Sequence, residues 1–176
     1  MPRIFGRHRK HVDEATRRRR VLFLCTGNSC RSQIAEGLIN RLDLNGGRFE
    51  GASAGSDPAG CVHPMAIEVA HELHADISRN RCKSWEDLKG ETFDFVITLC
   101  GHASSAIPKV WPGDPVMAHW DFEDPIKCKG GDEEKRGVFR NLARGLLRCI
   151  EQLISLPVEM LDRATLLKKL DEIGRG

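Results

Sequence analysis

The chain has 176 residues, of which 40% are hydrophobic and 30% are charged, and its formal net charge is +2. This length suits one well-packed domain, and the composition is that of an ordinary globular protein. No apolar run is long enough to cross a bilayer, and the start of the chain is basic without the apolar centre of a secretory signal. We therefore expect a cytoplasmic protein with no membrane partner.

Residues 1–20 are rich in basic side chains and poor in apolar ones. We predict that they form a disordered basic arm. Because the positive net charge comes largely from this arm, the remaining body offers no basic groove, and a nucleic-acid partner is not expected. We expect residues 21–156 to form the main domain and residues 157–176 to form a C-terminal helical extension.

The most informative stretch joins an apolar run at residues 21–24 to a loop that ends at Arg31. The run is typical of a buried strand, Gly27 and Asn28 tolerate the backbone angles of a tight turn, and a helical pattern follows. In such a unit the backbone N–H groups converge at the helix start, which predicts a site for an oxyanion. Cys25 would lie under this anion as a thiol that ionises readily, with the Arg31 guanidinium beside it.

The rest of the chain alternates between strand and helix patterns. We predict strands at 48–54, 93–100 and 115–120, and helices at 32–44, 64–73, 84–87, 132–156 and 160–170. This order predicts a three-layer α/β fold in which helices flank a four-stranded parallel sheet, with a ligand site at the carboxyl ends of the strands. Cys25 and Cys100 both end strands, and the segment 101–106 is expected to let Cys100 move.

Several motifs resemble the arsenate reductases built on the low-molecular-weight protein tyrosine phosphatase fold. They lie between about residues 21 and 156 in the family's order: Cys25 to Gln33, Ala35-Glu36-Gly37, Ser53-Ala54-Gly55, Thr98-Leu99-Cys100, His119-Trp120 and Asp124-Pro125. The resemblance implies that fold and the reduction of arsenate to arsenite. It also implies that phosphate or sulfate would bind as an analogue.

The resemblance assigns four catalytic residues. Cys25 is the nucleophile, Arg31 clamps the anion, and Asp124 protonates the departing oxygen, with Asp121 and Glu123 as weaker candidates for this acid. Cys100 is the second thiol. The implied oxyanion-binding loop consists of Thr26, Gly27, Asn28, Ser29, Cys30, Arg31 and Ser32.

A tyrosine phosphatase that hydrolyses a cysteinyl-phosphate intermediate is the alternative function. Such phosphatases typically have proline where this chain has Gln33 and an aromatic residue where it has Ile126, and the chain has no tyrosine. Trp111 or Trp120 would have to supply the missing aromatic wall. A third hypothesis is a non-catalytic regulator that senses oxidants through a Cys25–Cys100 disulfide or docks through its basic arm.

The chain departs from the family at the third cysteine that relays the disulfide in thioredoxin-coupled members, because Ile107 occupies that position. Either thioredoxin, glutaredoxin or a low-molecular-weight thiol resolves the oxidised site directly, or another cysteine has taken the role. Cys82 and Cys128 are the candidates, since both lie in polar, loop-like sequence. We expect Cys149 to belong to the core.

No bound cofactor is expected beyond an external thiol reductant. The seven cysteines include no Cys-x-x-Cys pair, which disfavours structural zinc. Some members of the family that this chain resembles bind potassium. The residues that match their potassium ligands are all present in this chain: Asn28, Glu36, Ser53 and Asp76.

Overall fold

A computed structural model describes residues 17–44 and 46–176. Its centre is a four-stranded parallel sheet with strand order β2-β1-β3-β4. The strands are β1 (Arg19–Cys25), β2 (Phe49–Gly55), β3 (Phe95–Thr98) and β4 (Val116–His119). The helices are α1 (Arg31–Leu42), α2 (Pro64–Glu72), α3 (Gly101–Ala106), α4 (Asp132–Ser155) and α5 (Arg163–Arg175), with short 3₁₀ helices at Trp85–Leu88, Pro125–Lys127 and Val158–Met160. The predicted four-stranded α/β fold is confirmed.

Strand β1 lies at the centre of the sheet and is apolar on both faces. Val21 and Phe23 point into the larger core, which is shared with α1, α2, α4 and α5. Leu22 and Leu24 point into a smaller core on the opposite face, beside Trp111. This alternation follows from the two-residue period of a strand, and it explains why the run has no polar interruption.

The C-terminal extension is part of the larger core. Leu166, Leu170 and Ile173 of α5 are buried in it, and Trp120 Nε1 donates a hydrogen bond to the Leu170 carbonyl at 2.9 Å. A side chain at Gly174 would collide with the Trp120 ring. Helix α5 is therefore fixed against the end of β4. No helix in the described part of the chain is both long and apolar enough to span a membrane.

Two sequence predictions need correction. Strand β1 begins at Arg19 and not after residue 20, because backbone hydrogen bonds to Arg48 and Asp94 hold residues 19 and 20 in the sheet. The segment after Cys100 is the helix α3, closed by a bond from the Ser104 N–H to the Cys100 carbonyl at 3.1 Å. The predicted disorder of the arm concerns mainly residues 1–16, which lie outside the described residues.

Asp94 connects the start of β1 to β3. Its carboxylate accepts from the Arg20 N–H at 2.7 Å and from Arg17 Nη2 at 2.6 Å, and its side chain is only 16% exposed. Burial raises the pKa of Asp94, but the hydrogen bonds from Arg17 and Arg20 outweigh this effect, so that the pKa lies below its ordinary value of 3.8. Asp94 therefore stabilises the fold in its ionised form.

We expect Asp94→Asn to lower the free energy of unfolding at neutral pH by about 1–3 kcal/mol, because a charged hydrogen-bond acceptor is lost. Folding lowers the pKa of Asp94, so its contribution is complete above the unfolded value near 3.8 and is lost as the pH falls through the folded value. Urea titrations should therefore show a difference between wild type and Asp94→Asn that shrinks on acidification.

Glu91→Gln is the matched control for this prediction. Glu91 binds Arg20 at 2.6 Å at the same edge of the sheet, but its side chain is 43% exposed. An exposed ion pair contributes about 0–1 kcal/mol. Equal losses of stability in the two variants would contradict the role assigned to Asp94.

Candidate active site

The loop between β1 and α1 is held from outside through its carbonyl oxygens. Four of them accept N–H groups from the segment 56–63 at 2.8–3.1 Å: Cys25 from Ser56, Thr26 from Asp57, Gly27 from Ala59 and Ser29 from His63. Among the described residues, the N–H groups of residues 26–30 have no acceptor. With its carbonyls turned outward, the loop offers its N–H groups, together with those of the first turn of α1, to an anion.

This curvature depends on two residues. Asn28 has a positive φ of 49° and is fully buried, a conformation that asparagine tolerates better than most residues. Gly55, at the end of β2, lies directly behind the loop, and a Cβ there would come within 2.5 Å of the Thr26 carbonyl oxygen. A larger residue at position 55 would therefore displace the loop.

The Asn28 amide satisfies all of its hydrogen-bonding capacity inside the protein. Its Nδ2 donates to Ser32 Oγ and Ser53 Oγ, both at 2.9 Å. Its Oδ1 accepts from Gln33 Nε2 at 3.1 Å and from the Lys83 N–H at 2.9 Å. The loop, strand β2 and the segment around Lys83 are thus connected through one buried side chain.

Gln33, which replaces the proline of typical phosphatases, is a structural part of this site. Besides Asn28, its Nε2 donates to the Arg81 carbonyl at 3.1 Å, and its Oε1 accepts from Asn80 Nδ2 at 2.8 Å. The side chain is fully buried. Gln33 therefore fixes residues 80–83 against the start of α1.

Cys25 lies at the bottom of the loop with 2% of its surface exposed. Its sulfur is 2.9 Å from Ser32 Oγ. Because Ser32 Oγ already accepts a hydrogen bond from Asn28 Nδ2, its own proton is available to the Cys25 sulfur. The Ser32 hydroxyl therefore orients the Cys25 sulfur at the bottom of the loop.

Cys30 lies in the same loop but is a poor nucleophile. Burial raises its pKa to about 12, the hydrogen bond from Ser29 opposes this rise, and repulsion from a Cys25 thiolate adds to it. Cys30 therefore stays protonated at neutral pH. The expectation that Cys25, and not Cys30, carries the chemistry agrees with this difference.

Arg31 and Asp124 meet at the mouth of the loop. Arg31 Nη2 is 3.3 Å from Asp124 Oδ2, and Arg31 Nη1 donates to the Phe122 carbonyl at 3.1 Å. Asp124 also caps the 3₁₀ helix at Pro125–Lys127 by accepting from the Ile126 N–H at 3.1 Å. The Asp124 side chain is 25% exposed, so it can reach both the bound anion and solvent.

Cys100 lies next to the loop, one strand away from Cys25. Strands β1 and β3 pair in parallel with Leu24 opposite Thr98, which brings both cysteines to the same edge of the sheet. Cys100 Sγ is 3.4 Å from Thr26 Oγ1, and 7% of the residue is exposed. The second thiol thus contacts the residue that follows the nucleophile.

The remaining cysteines considered in the sequence analysis, Cys82, Cys128 and Cys149, have different environments. Burial raises the pKa of Cys82, and repulsion from thiolates at Cys61 and Cys25 raises it further. Cys128 follows the Asp124 loop and is half-buried. Cys149 is buried in the core, as predicted.

The structure disfavours two predicted alternatives: an acid other than Asp124, and an aromatic wall formed by Trp111 or Trp120. Asp121 and Glu123 are exposed, and the arginine of the loop pairs with Asp124. Trp111 and Trp120 are buried and donate their indole N–H groups to backbone carbonyls inside the protein, so neither forms an aromatic wall.

Three of the four residues that match the potassium ligands, namely Asn28, Ser53 and Glu36, are linked to one another by hydrogen bonds. Glu36 and Asp76 line a shallow cavity of about 260 Å³, whereas Asn28 and Ser53 are fully buried outside it. Both lone pairs of the Asn28 carbonyl are used, and Asp76 Oδ1 accepts from the Ser78 N–H at 2.9 Å. This donor set does not fit a potassium ion. Within the described residues, no group of three or more His, Cys, Asp or Glu side chains could hold a metal ion.

Sequence reasoning missed two contributors to the site. One is Lys83, whose N–H holds Asn28 and whose ammonium lies 3.5 Å from Glu36 Oε2. The other is the Phe122 carbonyl, which orients Arg31. A backbone carbonyl leaves no trace in a sequence, and Lys83 lies about 50 residues from the loop in a segment that reads as polar surface.

Residues 20–166 match the low molecular weight phosphotyrosine protein phosphatase family. An arsenate reductase from Halalkalibacterium halodurans is 41% identical over 122 residues, which cover 69% of this chain and 85% of the relative. A glutaredoxin arsenate reductase from Synechocystis sp. is 33% identical over 137 residues, which cover 78% of this chain and 97% of the relative.

A solved low molecular weight protein tyrosine phosphatase from T. tengcongensis has a similar fold, with a TM-score of 0.64 and 32% identity. The match covers 77% of this chain and 97% of the phosphatase. The fold, the strand–loop–helix cradle and these similarities agree: the chain belongs to the low molecular weight phosphotyrosine protein phosphatase family.

Proposed function

We propose that the chain is an arsenate reductase, which converts arsenate to arsenite at the Cys25 loop. The observation that carries this function is the position of Cys100, because a phosphatase needs no second thiol and a reductase does. Cys100 contacts Thr26 at 3.4 Å at the edge of the sheet where Cys25 ends β1. The similarity to enzymes named arsenate reductases supports the same function.

In the proposed first step the Cys25 thiolate attacks the arsenic atom of bound arsenate. The N–H groups of residues 26–32 and the Arg31 guanidinium hold the oxygens of the anion. Asp124, which takes up a proton once arsenate has displaced it from Arg31, donates that proton to the departing oxygen, which leaves as water. Arsenate takes the place of Asp124 as the partner of Arg31, and this exchange leaves the Asp124 carboxyl beside the leaving group.

In the second step the Cys100 thiolate attacks the Cys25 sulfur. The sulfur–arsenic bond breaks, its electron pair stays on arsenic, and arsenite is released. The two cysteines have lost two electrons and are joined in a disulfide. An external thiol reductant must then return these electrons before the next turnover, and the cytoplasm, where such thiols are kept reduced, is the proposed setting.

A tyrosine phosphatase remains the second candidate because the first step is shared. Phosphate and arsenate are both tetrahedral anions, so the cradle should accept either. In a phosphatase, however, water attacks the cysteinyl intermediate and Cys100 has no role. The buried positions of Trp111 and Trp120 also leave no aromatic wall from these residues for a phosphotyrosine ring.

We propose thioredoxin, glutaredoxin or a low-molecular-weight thiol as the electron donor. Ile107 is buried at the end of α3, so the usual relay position holds no thiol. Of the two candidate resolving thiols, Cys82 is favoured over Cys128, because Cys82 interacts electrostatically with Cys25. Cys61, which is exposed, also interacts electrostatically with Cys82.

The first test is arsenite production with each of the three donors. Wild type should produce arsenite with at least one of them, and Cys100→Ser should lose this activity by about 10³-fold or more, because the Cys25–arsenic adduct cannot be resolved. Cys149→Ser, at a core cysteine outside the loop, is the control for loss of a thiol. Aryl-phosphate hydrolysis that survives in Cys100→Ser, without arsenite from wild type, would mean that the chain is a phosphatase.

The second test concerns the acid. Asp124→Asn should lower kcat for arsenate reduction by about 10²–10⁴-fold, the usual contribution of a general acid. Asp121→Asn, three residues earlier and exposed, should have near wild-type kcat. A large effect of Asp121→Asn with none for Asp124→Asn would reverse the assignment.

The third test separates the resolving thiols. Cys82→Ser should slow steady-state turnover with a protein donor but leave the first arsenite per chain unchanged, since Cys82 acts after release. Because its pKa is raised, the fraction of Cys82 present as thiolate is small at neutral pH, so the Cys82-dependent rate should increase toward alkaline pH. Cys128→Ser is the matched variant, and an equal or larger loss of steady-state turnover there would assign the role to Cys128.

A further inference from the structure

Lys83 contacts the residues around the Cys25 loop through both its backbone and its side chain. Its N–H donates to Asn28 Oδ1 at 2.9 Å, and its carbonyl accepts from the Gly55 N–H at 2.9 Å, so its backbone is fixed behind the loop. Its ammonium is 3.5 Å from Glu36 Oε2. The side chain of Glu36 is 18% exposed, which makes a counter-charge valuable there.

Glu36 begins a chain of hydrogen bonds that ends at the nucleophile. Ser53 Oγ donates to Glu36 Oε2, and Asn28 Nδ2 donates to Ser53 Oγ at 2.9 Å. The other Nδ2 proton of Asn28 goes to Ser32 Oγ, also at 2.9 Å. Ser32 Oγ is 2.9 Å from the Cys25 sulfur.

The direction of every proton in this chain follows from the charge on Glu36. An ionised carboxylate only accepts, so Ser53 must donate to it and can then accept from Asn28. Since Asn28 donates to Ser32, the Ser32 proton is left for Cys25.

We propose that the Lys83 ammonium supplies the cation of this network, so that Lys83 is a positioning residue for the Cys25 thiolate and the site needs no potassium ion. The proposal rests on the proposed function only in taking Cys25 as the nucleophile. The misfit of the potassium-ligand residues supports it: the Asn28 carbonyl is saturated, in part by Lys83 itself, and an ammonium already faces Glu36.

The test measures the reactivity of Cys25 without arsenate. Wild type, Lys83→Met and Lys89→Met are treated with iodoacetamide across a pH series, and alkylation of Cys25 is followed by mass spectrometry with fragmentation of the tryptic peptide 21–31, which separates Cys25 from Cys30. Lys89 is an exposed lysine six residues further along and is the control. The titratable groups around the Cys25 loop, namely Arg31, Asp124, Cys30, Cys82 and Cys100, are unchanged in all three proteins.

We expect Lys83→Met to alkylate Cys25 about threefold to tenfold more slowly at neutral pH, with the midpoint of its pH profile shifted upward, since one charge-assisted contact is lost. Lys89→Met should match wild type, and Lys83→Arg, which retains a cation, should restore most of the rate. Wild type should react equally fast in potassium chloride and in choline chloride of the same ionic strength.

Two results would overturn the inference. One is a Cys25 alkylation rate in folded Lys83→Met equal to that of Lys89→Met, and the other is a wild-type rate that rises several-fold in potassium chloride. If thermal unfolding shows that Lys83→Met is not folded, the comparison of Lys83→Arg with Lys83→Gln decides in the same way. Arsenite formation is not needed for any of these readouts, so the reductase function and the role of Lys83 can fail separately.

Discussion

The site depends most on the buried amide of Asn28. Its left-handed backbone turns the loop, and its four hydrogen bonds join α1, β2 and the segment around Lys83. Because the outward carbonyls of the loop are satisfied by residues 56–63, the N–H groups are left to face an anion. The shape of the cradle thus follows from where the surrounding chain provides hydrogen-bond donors to the loop carbonyls.

Parallel pairing of β1 with β3 determines which thiols can react together. Both strands end at the same edge of the sheet, about one strand spacing of 4.8 Å apart, and Cys100 lies one residue beyond the position level with Cys25, in contact with Thr26. The same edge carries Asp124, which follows β4 and returns to Arg31. Helix α5 holds Trp120 at the base of this returning segment, so the C-terminal extension supports the loop that bears the acid.

The elements that could be predicted from the sequence are those whose structure is determined by residues close together in the chain. The apolar run of β1, the turn at Asn28 and the long apolar stripe of α4 each reflect a backbone period or a steric rule, and they were predicted correctly. Gly27, predicted beside Asn28 as a turn residue, does not have a positive φ. The helix at 101–106 was missed because a short run of small, polar residues has no clear period. The contacts of Lys83 and Phe122 were missed because they depend on tertiary neighbours far away in the chain.

A single-turnover experiment is the most direct test of whether Cys25 and Cys100 together reduce arsenate. Fully reduced protein, freed of external thiol, is mixed with excess arsenate, and arsenite, free thiols and disulfide-linked peptides are measured. The account predicts one arsenite per chain, a fall from seven free thiols to five, and a Cys25–Cys100 disulfide. Unchanged arsenate with all seven thiols still free would contradict it.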